Sequence, residues 1–200
     1  MYREVSRNET DRIWMQSHSI RYDVTIIPPA NLDGEYVKTK GHYHPENPAG
    51  VGYPELYEVM EGFAHFLLQT KALDDIILIE AQKGDIVVIP PGYGHVTINP
   101  TLDETLTMAN LVSTEFSSEY AYYDKMHGAA YYELVGGIIQ KNPAYPEVPE
   151  VRKTVNNSSL LGDLGIQNTL YDGIGNAQIA QILNNPENYP NFFIRSIQDL

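Results

Sequence analysis

No cysteine occurs anywhere in the 200 residues. That absence excludes disulfides, thiolate nucleophiles and cysteine-ligated zinc or iron–sulfur sites together, so any metal must rest on histidine and carboxylate. Positive charge is scarce: 13 Lys and Arg stand against 26 Asp and Glu, a formal net charge of −13. Nucleic acid and anionic membrane surfaces both demand a basic patch, and neither is an expected partner. Apolar runs of membrane-spanning length are also missing. The first residues, MYREVSRNETDRIW, carry charge without an apolar stretch, which is not the pattern of a secretory signal and leads us to expect a cytoplasmic protein.

What is present concentrates between Thr39 and Gln69. His42 and His44 are two apart, so on a strand their imidazoles leave the same face and can converge on one point. Glu55 follows after ten intervening residues, with six more between it and Gly62. A second stretch, Gly84 to Asn99, reads as a buried strand, a Pro/Gly turn and a second strand opening on His95. His42, His44, Glu55 and His95 are therefore the candidate ligands. Three imidazoles and a carboxylate suit Fe(II), Mn, Ni, Co or Zn, with open positions left for a substrate. Glu46 lies nearer to His44 but belongs to Pro45-Glu46-Asn47-Pro48-Ala49-Gly50, which must turn. Glu58 and Glu61 are expected to be solvated strand-end charges. His18, His65 and His127 are expected to be non-ligands, with surface or packing roles.

The two stretches resemble the paired motifs of the cupin superfamily: His-x-His with a later Glu, then G-x5-P-x-G-x2-H-x3-N from Gly84 to Asn99. Usual cupins leave three or four residues between the second His and the Glu, so the ten found here are a departure. Short β-rich runs from Arg21 to Val112, separated by Gly62, Asp74-Asp75, Gly84, Pro90-Pro91-Gly92 and Asn99-Pro100, agree with an antiparallel jelly roll. The expected fold is an all-β, cupin-type antiparallel β-barrel with an N-terminal arm (1–20), a barrel (21–115) and a mixed α/β C-terminal extension packed on it (116–200). Asp11 to Met15 suggests a helical turn or two, Thr169 to Leu183 a helix weakened by Gly173 and Gly175, and 191–200 an arm. Tyr120, Tyr122, Tyr123, Tyr131, Tyr132 and Tyr145 are open to two readings, packing at the barrel rim or ligand contact.

At Lys38-Thr39-x-Gly41-His42-Tyr43-His44, with Glu55-x-Tyr57 and Leu67-Leu68-Gln69, the chain resembles the cupin-type phosphoglucose isomerases of archaea and some bacteria. Gly34-Glu35-Tyr36, Gly128-x-Ala130-Tyr131-Tyr132 and Asn142-Pro143-x-Tyr145 extend the likeness over roughly residues 21–150. The resemblance implies a homodimer interconverting glucose 6-phosphate and fructose 6-phosphate in glycolysis and gluconeogenesis, with one divalent metal per subunit, Fe(II) foremost. It implies that His42, His44, Glu55 and His95 hold the metal and that Glu55 is also catalytic. Thr39, Gly41 and Tyr57 would bind the phosphate and sugar, with Tyr120 a further contact, although Ser118 stands where that family has a histidine. Another metal-dependent cupin enzyme, such as a dioxygenase or a different sugar-phosphate isomerase, and a non-catalytic metal- or sugar-binding cupin remain alternative readings.

So acidic a protein must meet an anionic substrate with local donors, of which Lys38 and Lys40 are the nearest in sequence. Strict strand alternation would turn both lysines inward with the histidines and Thr39 outward. A bulge at Gly41 would remove that conflict.

Overall fold

The computed structural model describes residues 1–155, 162, 164–166 and 168–197. Two four-stranded sheets carry the architecture. One runs β1 (Ile20–Ile27), β9 (Leu106–Ser113), β4 (Glu55–Glu61), β7 (Ile86–Ile89), all antiparallel. The other runs β12 (Arg152–Val155), β6 (Ile76–Gln82), β5 (Phe63–Thr70), β8 (Tyr93–Ile98). Among the described residues only β12 pairs in parallel, so the C-terminal extension adds an edge strand to the sheet as well as packing on it. Apolar side chains from both sheets, among them Val59, Phe66, Leu68, Ile77, Ile89 and Met108, form one buried cluster, which places the two sheets face to face. The fold is thus the expected cupin-type jelly roll, its described pairings forming these two facing sheets and a third, outer one rather than one closed barrel.

Alternation explains these strands, but burial on both faces explains their composition. Tyr57 belongs to the cluster between the sheets, whereas its neighbour Leu56 packs outward against Leu170, Ile182 and Leu183. Leu68 points inward, and Leu67 points outward against Tyr43, Tyr123 and Tyr145. A second layer covers this part of each sheet, so Ile76-Ile77-Leu78-Ile79 and Ile86-Val87-Val88-Ile89 are buried without interruption. Each such aliphatic side chain contributes about 1.5–3 kcal/mol.

Over the first sheet lie α1 (Glu9–Ser17), a 3-10 turn at Leu170–Gly173, α3 (Ala177–Asn184) and α4 (Pro190–Ser196). Asn8 caps α1 by accepting the Asp11 amide at 2.9 Å. The helix expected over 169–183 is divided, because Gly175 takes φ +95° and Asn176 begins a new cap. The arm expected at 191–200 is instead a short helix that buries Phe193; residues 198–200 lie outside the described residues. Over the second sheet lie α2 (Ala121–Lys125) and the hairpin of β10 (Tyr131–Leu134) and β11 (Ile138–Lys141). That hairpin pairs with β3 (Glu35–Tyr36), which pairs with β2 (Asn31–Leu32).

Glu58 corrects an expectation. It is buried, 6% exposed, and accepts the Leu170 amide at 2.8 Å, with burial pushing its pKa up. A carboxylate that seemed a strand-end charge instead satisfies the first amide of the 3-10 turn packed over the sheet.

Candidate metal centre

His42 and His44 sit on an extended segment that borders β8 through isolated bridges, Lys38 to Ile98 and His42 to His95. Four steps along the chain separate Lys38 from His42, while three separate Ile98 from His95. The segment therefore holds one extra residue, a bulge, and the facing of every side chain beyond it is inverted. Thr39, Lys40, His42 and His44 line one cavity, and Lys38 does not. Lys38 pairs with Glu35 and lies over the Tyr132 ring. Gly41 is where the backbone comes closest to its cover: a Cβ there would stand 2.1 Å from the Tyr123 ring. Tyr43, between the histidines, points the other way into the aromatic layer, where its hydroxyl donates to Thr70 O.

The remaining ligands arrive from the sheets. Glu55 opens β4 opposite Val112 of β9, and His95 is the third residue of β8. One ligand atom from each of His42, His44, Glu55 and His95 lies within 4.8 Å of all the others. His44 Nδ1 donates to Tyr53 O at 2.9 Å, and His42 Nδ1 faces Lys40 O at 3.3 Å. A carbonyl can only accept, so the proton sits on Nδ1 and the Nε2 lone pair is free for the centre. Asn110 Nδ2 donates to Glu55 Oε1 at 2.7 Å.

Glu55 Oε2 has no hydrogen-bond partner although it is buried, and it stands 3.5 Å from His44 Nε2 and 3.4 Å from His95 Nε2. An orphaned carboxylate oxygen facing imidazole lone pairs is what a divalent cation satisfies. Without a cation, burial governs every charge here. It pushes the Glu55 carboxyl up to about 8, His44 down to about 3, and His42 and His95 below their usual range. The donor set fits a divalent metal.

The cavity above the four ligands measures about 190 Å³. Tyr57 lines it, buried, with its hydroxyl 3.2 Å from His95 Nε2. Tyr120 lines it too, its ring centroid 5.3 Å from that of His42, whereas Tyr122, Tyr123 and Tyr145 pack with Tyr43. Thr39 lines it while its Oγ1 accepts the Thr97 amide at 2.9 Å. Gly41 is not among the lining residues, and its Cα lies against the Tyr123 ring. Glu46 is exposed and outside the cluster. His65 Nδ1 lies 2.9 Å from each Glu133 oxygen, away from the centre.

Arg3, Arg21, Asp23 and Asn110 also line the cavity. No sequence motif marks them. The alternation in Arg21-Tyr22-Asp23-Val24-Thr25 reads as apolar-in and polar-out. In the structure Tyr22 faces the helical layer, and the polar set faces the cavity.

A family model described as glucose-6-phosphate isomerase matches residues 1–152. The glucose-6-phosphate isomerase of Thermococcus litoralis is 31% identical over 101 residues, 50% of this chain and 50% of that protein. That of Pyrococcus abyssi is 29% identical over 101 residues, with the same shares. The chain spans about half the length of the curated relatives it matches. Among solved structures, a deletion mutant of Bacillus subtilis oxalate decarboxylase aligns with TM-score 0.41 and 14% identity over 57% of this chain and 27% of that one.

Proposed function

The chain belongs to the glucose-6-phosphate isomerase family, and from that premise we propose that it is a metal-dependent aldose–ketose isomerase interconverting glucose 6-phosphate and fructose 6-phosphate. The observation that carries the metal dependence is the orphaned Glu55 Oε2 facing two imidazole nitrogens at the floor of the cavity. His42, His44, Glu55 and His95 would hold one divalent ion, Fe(II) in the first instance, with Mn, Ni, Co and Zn suiting the same donors. Such an ion supplies Lewis-acid polarisation of the oxygens on C1 and C2.

The chain's own residues do the rest. Converting aldose to ketose takes a hydrogen from C2, places one on C1 and moves a proton from O2 to O1. Glu55 is the residue we assign to carry the proton between the two carbons. Its Oε2 faces the ligand nitrogens and is the atom that would bind the ion, while Oε1, which accepts one bond from Asn110, keeps a second lone pair for the proton. Tyr57, with its hydroxyl buried beside His95 and its pKa raised by burial, stays protonated and can donate to a sugar oxygen. Thr39 and Tyr120 line the same cavity and are assigned to substrate contact. Family membership also supports a homodimer and a place in glycolysis and gluconeogenesis. A cytoplasmic location is part of the same proposal; no helix among the described residues is long and apolar enough to cross a membrane.

A coupled assay in both directions, on chelated protein and on protein reloaded with Fe(II), Mn(II) or Zn(II), tests this. Reloading should restore interconversion in wild type, and Glu55→Gln should lose metal content and turnover together, while Glu46→Gln keeps both. Full activity after verified metal removal would disprove the metal dependence.

A further inference from the structure

His44 and Glu55 bracket the ten residues from Pro45 to Pro54. A connection of that length leaves the two ligands free to separate unless something closes it. Asn47 closes it. Its amide donates to Val51 O at 2.8 Å, and its side-chain Oδ1 accepts the Ala49 and Val51 amides at 3.0 and 3.1 Å. Glu46 bridges Gly52, and the Tyr53 amide donates to Pro45 O at 3.2 Å, so the stretch folds back on itself as a small hairpin. Its returning end carries the Tyr53 carbonyl, which accepts His44 Nδ1 at 2.9 Å and so fixes which nitrogen of His44 is turned to the centre. The Phe116 ring lies against both, its centroid 4.4 Å from that of His44 and 4.8 Å from that of Tyr53.

The hairpin is held from outside the two facing sheets. Asn47 is buried, 7% exposed, with its side-chain oxygen already engaged inside the turn. Its Nδ2 donates to Glu187 Oε2 at 2.8 Å, and Asn184 O at 3.5 Å is a weaker second contact. Glu187 belongs to a 3-10 turn at Pro186–Asn188, just after α3. That turn stands on a fixed base: Asn184 Nδ2 donates to His18 O at 2.8 Å, and Asn184 Oδ1 accepts the Ser113 hydroxyl at 2.6 Å. The end of α3 is thereby joined to the ends of α1 and β9. Val51 of the hairpin also lines an apolar cavity with Pro186, Pro190 and Phe193. On its other side the hairpin meets the turn that leads into β8 and His95, so closely that a Cβ on Gly52 would stand 2.7 Å from the Gly92 amide nitrogen.

We propose that Glu187 is a positioning residue for the metal centre: through Asn47 it holds the 45–54 hairpin, and through the Tyr53 carbonyl the hairpin holds His44. The proposal rests on the metal-centre reading above. Glu187 lies beyond the residues that the family model matches, so family membership by itself gives it no task. An extension that served only as cover would add stability without changing how well the ligands hold an ion. A clamp on the hairpin changes both, because each bond from Glu187 to His44 narrows the range of His44 orientations before the ion arrives.

The dissociation constant for Zn(II), measured on chelated protein by competition with a chromophoric chelator, tests this alongside the Tm of the same chelated preparation. Glu187→Ala should weaken Zn(II) binding about threefold to tenfold, less than the roughly tenfold to hundredfold of a residue bonded directly to a ligand. Glu187→Gln keeps an acceptor for Asn47 Nδ2 and should stay within about twofold of wild type. Asn47→Asp keeps the oxygen that closes the turn but sets two carboxylates against each other, and should weaken binding at least as much as Glu187→Ala. Combining Asn47→Asp with Glu187→Gln exchanges donor and acceptor and should return the constant toward wild type. Ser196→Ala removes a bond of the same extension that does not touch the hairpin, Ser196 Oγ to Phe193 O, and should lower Tm while leaving Zn(II) binding unchanged. Unchanged Zn(II) binding in Glu187→Ala and Asn47→Asp, in a wild type that binds Zn(II), would overturn the positioning role and leave the metal centre standing. A double variant no better than Asn47→Asp, or a loss in Ser196→Ala equal to that in Glu187→Ala, would overturn it as well, since general loosening would then account for the effect. Wild type that binds no Zn(II) would overturn the metal centre and the clamp together.

Discussion

Thr39 shows how one side chain can serve the fold and the ligand together. Its Oγ1 accepts the Thr97 amide, yet its own proton remains free to donate into the cavity. Thr39→Val removes both, leaving a strand amide without its acceptor at a cost of about 1–3 kcal/mol. For a chain of this size that corresponds to a fall in Tm of roughly 2–12 °C. Thr39→Ser should restore Tm and KM together. Thermal denaturation and KM for fructose 6-phosphate on the three proteins decide the point, since a Val variant with wild-type Tm would show that Thr97 finds another acceptor. At this scale the candidate ligands were legible because His-x-His, the Glu spaced from Gly62 and the His just after the Pro-Gly turn are local patterns. Arg3 and Arg21 were not legible. Their meeting depends on a pairing between the N-terminus and β1 that no local pattern encodes.

The strands were legible at the scale of elements, since turn residues bound each one and apolar composition fills it. The face each strand presents to the site was not, because alternation tells which residues share a side but not what covers that side. Glu58 was misjudged for this reason and Asp23 went unmarked, both being polar residues that the fold buries. The parallel strand β12 was likewise invisible, four residues long and paired to β6 some 75 positions earlier. One clip at its start makes a prediction. Arg152 Nε and Nη2 reach the Asp75 carboxylate at 2.7 and 2.8 Å, and Tyr93 donates to the same group at 2.6 Å. The Arg152 bond chiefly holds the Asp75 pKa below its usual 3.8. A depressed carboxyl contributes stability above about pH 4 and loses it as pH falls through the folded value. Tm followed from pH 6 to pH 2 should fall less steeply in Asp75→Asn than in wild type, from a slightly lower starting point. Parallel curves would show that the clip does not contribute to stability.

For the whole molecule, the four-ligand cluster couples the two sheets. Glu55 belongs to one, His95 to the other, and the two remaining histidines to the segment bordering β8. An ion bound there favours only the state in which all three are assembled. At a hundredfold excess over Kd this adds about 2.7 kcal/mol, a rise in Tm on the order of 5–11 °C. Scanning calorimetry of chelated protein titrated with Mn(II) or Zn(II) should show that rise, and His95→Ala should abolish it. No shift with any divalent ion would count against the ligand set.

The extra residue between Lys38 and His42 has a consequence for descent as well as for shape. A point change at Lys40 alters one side chain, but loss of that residue would turn every later one over and carry both histidines to the outside. Inherited variation in this stretch should therefore be conservative in length and freer in letters at Lys40 than at Thr39 or Gly41, and an insertion or deletion there would leave a lineage with a jelly roll that folds without assembling the four-residue cluster.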